Sequence, residues 1–226
     1  MGMGKQVRHL IAMRAAKEIK RGMIVNLGIG IPTLVANYVK DRSIMFHAEN
    51  GILGTGPTPE QGSENPFLCN AGGIPITVAS GASFFDSATA FALIRRGLLD
   101  MTILGALEVS EKGDLANWIV PGKRVPGMGG AIELAQKAKK VVTVMNHTDK
   151  DGNPKVVKKC SLPLTAPKCV HMIITDMAVM KVVNDGIELK EVFAPYTIKK
   201  VQEKTGLTLI INESPKVISD GGVISQ

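Results

Sequence analysis

Cysteine is scarce in this chain and follows none of the spacings that bind metals or form redox motifs. The three cysteines, Cys69, Cys160 and Cys169, lie far apart. An odd and sparse set of thiols is typical of proteins that keep them reduced in the cytosol. We therefore expect each cysteine to be a small buried hydrophobic residue, and we predict no metal site.

Long apolar runs are also missing and aromatic residues are few, at 4% of the chain, and each of these features argues against a class of protein. No apolar run approaches the ~18 residues of a transmembrane helix. Residues 1–21 lack the apolar region of a secretory signal, so we expect a cytoplasmic protein that does not bind membranes. Tryptophan occurs once, tyrosine twice, and the basic residues are dispersed, which argues against nucleic-acid binding. The net charge of +7 leaves smaller acidic ligands open, including phosphates and acyl-CoA.

The length and hydrophobic content predict one globular domain. The chain has 226 residues, of which 45% are hydrophobic, enough for a single large core. We predict one domain over residues 1–226, with its core at about 5–212 and a tail after about 215. The mean hydropathy of +0.14 is slightly high, so either the core is large or a partner covers part of the surface.

Strand-like and helix-like segments alternate along the chain. The predicted strands are 23–27, 44–48, 75–79, 101–104, 141–145, 170–175, 178–183, 187–192 and 207–211. The predicted helices are 7–19, 32–39, 87–96, 131–139 and 198–205. Because most strands are continuous apolar runs, we predict an α/β fold: an open, mostly parallel, doubly wound sheet with helices on both faces. Ligands of such sheets bind beyond the carboxyl ends of strands, which makes 28–33, 49–56 and 121–130 the candidate loops.

Two glycines, Gly28 and Gly30, follow the first predicted strand and precede a helix that begins at Pro32. Backbone N–H groups at such a turn can hold an anion. Thr33 stands where the third glycine of a dinucleotide-binding motif belongs, so that motif is incomplete. A tight strand-to-helix turn with no ligand is the alternative interpretation.

Glu49 follows the second predicted strand, directly before Asn50 and Gly51. Asn-Gly favours a tight turn, which would hold the carboxylate at the rim of the sheet on a rigid support. With an activated electrophile and shielding from water, such a carboxylate can act as a nucleophile. A surface glutamate in a hairpin turn is the alternative. His47 would point to the same face as Glu49, and we expect it to be packed or solvated.

Two other glycine-rich segments could supply backbone N–H groups to an oxyanion. Gly129 and Gly130 end the segment 126–130, just before a predicted helix, and Asn70 begins an Asn-Ala-Gly-Gly sequence. A flexible loop and a plain turn are the respective alternatives.

Taken together, these segments resemble the small B subunit of family I coenzyme A transferases, which include the 3-oxoacid, acetate and butyrate–acetoacetate CoA-transferases. The resemblance covers about residues 5–212 and keeps the order and approximate spacing of the family's motifs. The matching segments are 25–37, 49–54, 70–73, 84–87, 116–123 and 127–131.

The resemblance implies a mechanism and a set of site residues. Glu49 is then the nucleophile that attacks an acyl-CoA and becomes a glutamyl-CoA thioester, while backbone N–H groups of Gly129 and Gly130 hold the oxyanion. The residues implied in substrate or CoA binding are Gly28, Gly30, Asn50, Gly51, Asn70 and Lys123. CoA is a co-substrate, no bound cofactor is implied, and a separate A subunit completes the enzyme as a heterodimer or heterotetramer.

Three departures from the family's pattern lie beside these motifs. His47-Ala48 stand where most relatives have Gln-Ser, Ile132-Glu133 where many have Met-Asp, and Arg124 where relatives often have Met. These changes leave the predicted nucleophile intact and bear on the choice of acid substrate.

Two other functions stay open. In acyl-CoA hydrolysis, water would intercept the glutamyl intermediate, and CoA exchange that depends on an acid distinguishes transfer from hydrolysis. A non-catalytic, ligand-binding α/β protein is the other alternative, against which the intact Glu49 turn argues.

Overall fold

Helices and strands alternate through most of the structure, a computed structural model that describes residues 4–120, 122, 125, 127–219 and 222–224. The helices are α1 (Lys5–Ala16), α2 (Ser87–Arg95), α3 (Ala131–Lys137) and α4 (Ile198–Lys204), and a 3₁₀ helix spans Pro32–Tyr38. The first strands are β1 (Ile24–Leu27), β2 (Met45–Ala48), β3 (Ile52–Thr55), β4 (Val78–Phe84), β5 (Met101–Gly105), β6 (Glu108–Ser110) and β7 (Leu115–Ala116). The later strands are β8 (Val141–Val144), β9 (Val156–Val157), β10 (Met172–Ile174), β11 (Ala178–Val183), β12 (Gly186–Phe193), β13 (Lys216–Ser219) and β14 (Gly222–Ile224).

The chain divides into two compact units. One unit, here called the Glu49 unit, comprises residues 12–105 and 129–141. The other, called the C-terminal unit, comprises the described residues of 1–11, 106–128 and 142–226. The single-domain organisation stays a prediction.

In the Glu49 unit the strand order is β5-β1-β2-β3-β4. Strand β1 pairs in parallel with β2 on one side and with β5 on the other. The pairs β2–β3 and β3–β4 are antiparallel. The three parallel strands are mostly buried, which explains their continuous apolar sequences. Helix α2 begins after Asp86, whose side chain accepts a hydrogen bond from the Thr89 N–H at 2.7 Å.

In the C-terminal unit two parallel pairs alternate with antiparallel hairpins. Strands β8 and β10 are parallel, as are β12 and β13. Strand β11 pairs antiparallel with β10 and β12, and β13 with β14. Strands β7, β6 and β9 form a separate three-stranded sheet. The Asp185-Gly186 sequence makes the tight β11–β12 turn that its sequence favours.

The predicted α/β fold, with a mostly parallel open sheet and helices, is confirmed for its parallel core, to which antiparallel hairpins are added. The helices predicted at 7–19 and 131–139 exist but end earlier, at Ala16 and Lys137. The helix predicted at 32–39 is a 3₁₀ helix. Strand β3 was not predicted, because Gly54 favours a polar loop that starts there.

Two strand boundaries are wrong for identifiable reasons. The strand predicted at 75–79 lies instead at Val78–Phe84, because pairing with β3, and not burial of its side chains, sets its bounds. Residues 207–211 do not form a strand. The Gln202 side chain donates to the Leu207 carbonyl at 2.8 Å and accepts from the Leu209 N–H at 2.9 Å. These two contacts take the place of backbone hydrogen bonds that a neighbouring strand would otherwise make.

The tail predicted after about residue 215 is wrong for Lys216–Ser219. These residues form β13, in which Val217 and Ile218 pair with Val192 and Phe193 of β12. The side chain of Ile218 is buried, so hydrophobic burial stabilises the pairing. A four-residue strand this close to the end of the sequence gives too short an apolar run to recognise.

The cysteines only partly follow the prediction. Cys169 is buried and Cys160 half-buried, and burial raises the pKa of each thiol to about 12. Cys69 is exposed, so the expectation of burial is wrong there. Among the described residues, no helix is both long and apolar enough to cross a membrane, and no group of three or more His, Cys, Asp or Glu side chains could hold a metal ion.

A buried histidine links two parts of the C-terminal unit. Both ring nitrogens of His147 lie 2.9 Å from a threonine hydroxyl, Nδ1 from Thr175 and Nε2 from Thr205. Hydroxyl groups can donate to one nitrogen and accept from the other, which suits a neutral imidazole. Burial lowers the pKa of His147 to about 4, although the negative charge of Asp176 opposes the shift.

We predict that His147 makes the fold acid-sensitive. Its pKa is lower in the folded chain than the unfolded value of 6.5, so the unfolded state gains the proton first as the pH falls. Stability from this residue is therefore complete above pH 6.5 and declines toward pH 4, by about 3 kcal/mol in all. In His147→Asn the difference in unfolding free energy from wild type should shrink over this range. Urea denaturation at pH 7 and 4.5 measures it, and a constant difference would contradict the assignment.

Candidate active site

Glu49 lies immediately beyond the carboxyl end of β2, in a tight turn. The Gly51 N–H donates to the Ala48 carbonyl at 3.0 Å and closes that turn. Glu49 is half-buried and Asn50 is exposed. The predicted position of the carboxylate, at the rim of the sheet after a buried strand, is therefore what the structure shows.

A buried asparagine on the neighbouring strand holds this carboxylate. Asn26 of β1 donates from its amide nitrogen to Glu49 Oε2 at 3.0 Å and to the His47 carbonyl at 3.2 Å. Its amide oxygen accepts from the Thr102 hydroxyl of β5 at 3.1 Å. Three adjacent parallel strands thus supply one continuous chain of hydrogen bonds that ends on the carboxylate. Glu49 Oε1 makes no hydrogen bond within the described part of the chain.

Asn26 was missed as a site residue in the sequence. Its side chain is fully buried, in a strand that otherwise reads as apolar. An amide inside such a run was a usable signal, because a buried polar side chain needs hydrogen-bond partners. The residue that Asn26 binds, Glu49, however, follows β2, and the sequence does not show that β2 lies next to β1.

The turn after Glu49 is packed too tightly to accept any residue except glycine at position 51. Gly51 has φ +113°, and a Cβ atom there would overlap the Phe85 carbonyl oxygen. The Phe85 N–H donates to the Gly51 carbonyl at 2.9 Å. Backbone contact on both sides therefore fixes the turn, as the Asn-Gly sequence predicts.

Asn50 and Asn70 order the loop beside this turn. The Asn50 amide donates to the Cys69 carbonyl at 2.8 Å. The Asn70 side-chain oxygen accepts from the N–H groups of Gly72 and Ile74, at 2.9 and 3.1 Å. Both residues thus have structural roles, and the predicted contact of either one with substrate stays a prediction.

The glycines after β1 lie at the same end of the parallel strands. Gly28 extends the strand, since its N–H donates to the Ile103 carbonyl at 2.9 Å, and a Cβ atom there would lie 3.2 Å from that oxygen. Gly30 has φ +92°, and no atom of the described residues lies within 4 Å of a Cβ atom built on it. The intervening Ile29 contacts Gly72. The structure therefore brings this loop together with the Asn70 segment.

His47 is packed, not solvated. It is 1% exposed and stacks on Phe85, with ring centroids 6.4 Å apart. Neither ring nitrogen has a hydrogen-bond partner among the described residues. Burial lowers the pKa of His47. The negative charge of Glu49 and the nearby backbone of Ala90 oppose this shift, although the Ala90 backbone makes no hydrogen bond with the ring. The imidazole is therefore neutral at neutral pH beside the carboxylate.

Gly129 and Gly130 lie at the start of α3, beside α2. Gly130 is the N-cap residue of α3, and a Cβ atom on it would lie 3.3 Å from the Phe91 ring. Gly129 has φ +52°, and within the described part of the chain nothing lies within 4 Å of a Cβ atom built on it. Glu133 pairs with Arg95 at 2.6 Å, so this departure from the family's pattern connects α3 to α2. The approach of either glycine to Glu49 stays a prediction.

Lys123 lies outside the described residues, as do Arg124 and Pro126 of the same loop. The predicted role of Lys123 in CoA binding therefore remains a prediction. Nine site residues were inferred from the sequence. The structure brings two groups of them together: the residues around Glu49, which are Asn50, Gly51 and Asn70, and the two glycines Gly28 and Gly30. Gly129 and Gly130 belong to the same unit.

A carboxylate held at the carboxyl edge of parallel strands, with glycine loops around it, defines an α/β protein suited to acyl-group chemistry. The chain belongs to the coenzyme A transferase family, whose sequence pattern matches residues 8–204.

Two relatives show how close the similarity is. The chain is 59% identical over 206 residues to the beta subunit of a probable coenzyme A transferase of Bacillus subtilis, covering 91% of this chain and 95% of that protein. It is 53% identical over 199 residues to the B subunit of the succinyl-CoA:3-ketoacid coenzyme A transferase of Helicobacter pylori, covering 88% of this chain and 96% of that one.

The fold is shared with a longer protein of known structure. The acyl-CoA transferase YdiF of Escherichia coli O157:H7 superposes with a TM-score of 0.75 at 21% identity, over 96% of this chain. The match spans 44% of the YdiF chain, so more than half of that enzyme has no counterpart here.

We predict that Asn26 positions the Glu49 carboxylate for its predicted role as nucleophile. Asn26→Ala removes the donor to Glu49, and a misplaced nucleophile costs about 10²-fold in kcat with little change in KM. The control Thr102→Val keeps the donor and removes only the hydroxyl behind it, so its loss should be below about tenfold. Steady-state kinetics measures both, with circular dichroism to establish folding. Unchanged kcat in folded Asn26→Ala would show that the hydrogen bond has no part in turnover.

Proposed function

We propose that this chain is the glutamate-bearing subunit of a CoA-transferase that moves CoA between an acyl-CoA and a free short-chain or 3-oxo carboxylic acid. The observation that supports this most is the Glu49 carboxylate, held at the end of β2 by Asn26 in a chain of the coenzyme A transferase family. The names of the relatives, succinyl-CoA:3-ketoacid transferase among them, support the substrate class.

The proposed reaction begins with attack by Glu49 on the thioester carbonyl. The C–S bond breaks, CoA leaves as thiolate, and a mixed anhydride of Glu49 and the acyl group forms. The thiolate then attacks the glutamyl carbonyl, which releases the first acid as carboxylate and leaves a glutamyl-CoA thioester. A second carboxylate reverses both steps and leaves as acyl-CoA. One thioester replaces another, so the sequence needs no net oxidant or reductant and no bound cofactor.

Each step passes through a tetrahedral oxyanion that the protein must stabilise. Gly129 and Gly130 are proposed to donate their backbone N–H groups to it. No atom of the described residues lies within 4 Å of a Cβ atom built on Gly129, which suits close approach of a substrate to its backbone. One such donor contributes about 10²–10³-fold to the rate in other acyl transfers.

The proposed enzyme needs a separate A subunit. The relatives with named functions are B or beta subunits, and YdiF has more than twice the matched length in one chain. Without a partner Glu49 is only half-buried and Asn50 is exposed, whereas an anhydride needs protection from water. The three free thiols support a cytoplasmic location.

The same exposure favours acyl-CoA hydrolysis as a second candidate. Water that reaches the glutamyl intermediate would release free CoA with no acceptor acid present. Release of thiol that is independent of any acid would identify this activity, whereas transfer requires the acid.

We predict that Glu49→Gln abolishes transfer in the complex with the A subunit. The amide has no nucleophilic carboxylate, so activity with succinyl-CoA and acetoacetate should fall on the order of 10³-fold or more. Glu60→Ala and Glu64→Ala are matched controls, because both residues are exposed acidic side chains of the next loop, and their stability effect should stay within ~0.5 kcal/mol. Activity in Glu49→Gln comparable to that of the two controls would refute the proposed nucleophile.

A further inference from the structure

The edge of the Glu49 unit's sheet has an apolar surface that the described residues leave uncovered. Six of the seven residues of β4 are exposed, and β4 pairs with β3 and with no other strand in the described part of the chain. Nearby large side chains are also exposed: Ile29 is 64%, Phe67 92%, Val78 37% and Phe84 60% accessible. These four residues and β4 are here called the β4 patch. Exposed apolar surface on an unprotected strand edge typically marks an interface.

The β4 patch is held in place by hydrogen bonds. The Phe67 N–H donates to the Asn65 side chain at 2.9 Å, and the Ile76 N–H donates to the Leu68 carbonyl at 3.3 Å. The Asn50 amide holds the Cys69 carbonyl of the same loop. Phe67 is therefore presented to solvent by an ordered loop, which lowers the entropy cost of burying it against a partner.

The β4 patch is continuous with the Glu49 turn. Phe84 pairs with Ile52, three residues after Glu49, and the next residue, Phe85, is hydrogen-bonded to Gly51. Ile29 contacts Gly72 at the other side of the site. A protein that covers these side chains must therefore approach the catalytic carboxylate.

We propose that the β4 patch is the docking surface for the A subunit, with Phe67 and Phe84 as its aromatic anchors. This inference rests on the proposed function. Strand β4 has the sequence VASGASF, which contains no charged residue, so it fits an uncharged, apolar face of the partner. Aromatic residues at the centre of an interface usually contribute most to affinity.

The A subunit is a better occupant than a second copy of this chain. A patch that borders Glu49 can shield the anhydride from water only when the covering protein completes the site. The YdiF chain contains the matched fold in 44% of its length, and the remainder of such a chain is available to cover that site. The relatives named above are B or beta subunits, and the A subunit is the proposed source of the equivalent surface here.

The first experiment compares deuterium uptake of this chain alone with that of its complex with the A subunit. Amides of 65–70 and Val78–Phe84 should exchange at least about tenfold more slowly in the complex, because the edge becomes covered. Light scattering establishes the mass of each species. A complex that transfers CoA while both segments stay unprotected would overturn the inference and leave the proposed function standing. Protection of both segments without any CoA transfer would support the docking surface and contradict the proposed function.

Single variants test the anchors. Phe67→Ser and Phe84→Ser should fold, because both side chains are exposed, and should each raise the Kd for the A subunit at least about tenfold. Leu98→Ser is the control. Leu98 is also an exposed large apolar residue, at 42%, but it precedes β5 and so lies at the opposite end of the parallel strands from Glu49. Its substitution should change Kd by less than about twofold. Equal effects of all three variants, failure to form any complex, or protection of β4 in a dimer of this chain alone would each contradict the proposed docking surface.

Discussion

The hydrogen bond from Asn26 to Glu49 is the interaction on which the candidate site depends. It crosses from β1 to β2, and it exists only because these strands are parallel and in a register that places Asn26 opposite His47. Thr102 of β5 orients the amide from the other side. A charged group in a partly buried position needs such donors, and here they come from the sheet itself. The position of the Glu49 carboxylate is therefore a consequence of strand order.

Packing around the turn adds a second constraint. Gly51 and Phe85 are in backbone contact, and the ring of Phe85 stacks on His47. The carboxylate, the turn and the start of α2 consequently form one packed group. The unpartnered nitrogens of His47 are a cost of this packing, since a buried polar atom without a hydrogen bond is unfavourable by about 1–3 kcal/mol.

Sequence patterns were most informative where one local signal determined the structure. The apolar runs of β1, β2 and β5, the Asp86 cap and the Asn50-Gly51 turn were all predictable because each depends on neighbouring residues. Asn26 and β13 were not, because their partners are distant in sequence. The Gln202 side chain likewise binds the backbone of Leu207 and Leu209, so that only Ile210 of the segment 207–211 pairs with β12, as an isolated bridge, which no periodicity reveals.

The most direct test of the account is to locate CoA on the protein. The complex with the A subunit would be incubated with an acyl-CoA and no acceptor acid, and its peptides analysed by mass spectrometry, with and without borohydride reduction of the thioester. We predict that CoA is attached to the peptide containing Glu49, and that borohydride converts this residue to the alcohol and inactivates the enzyme. Attachment at Glu60 or Glu64, or turnover with no protein-bound CoA, would contradict the assignment of Glu49 as the nucleophile.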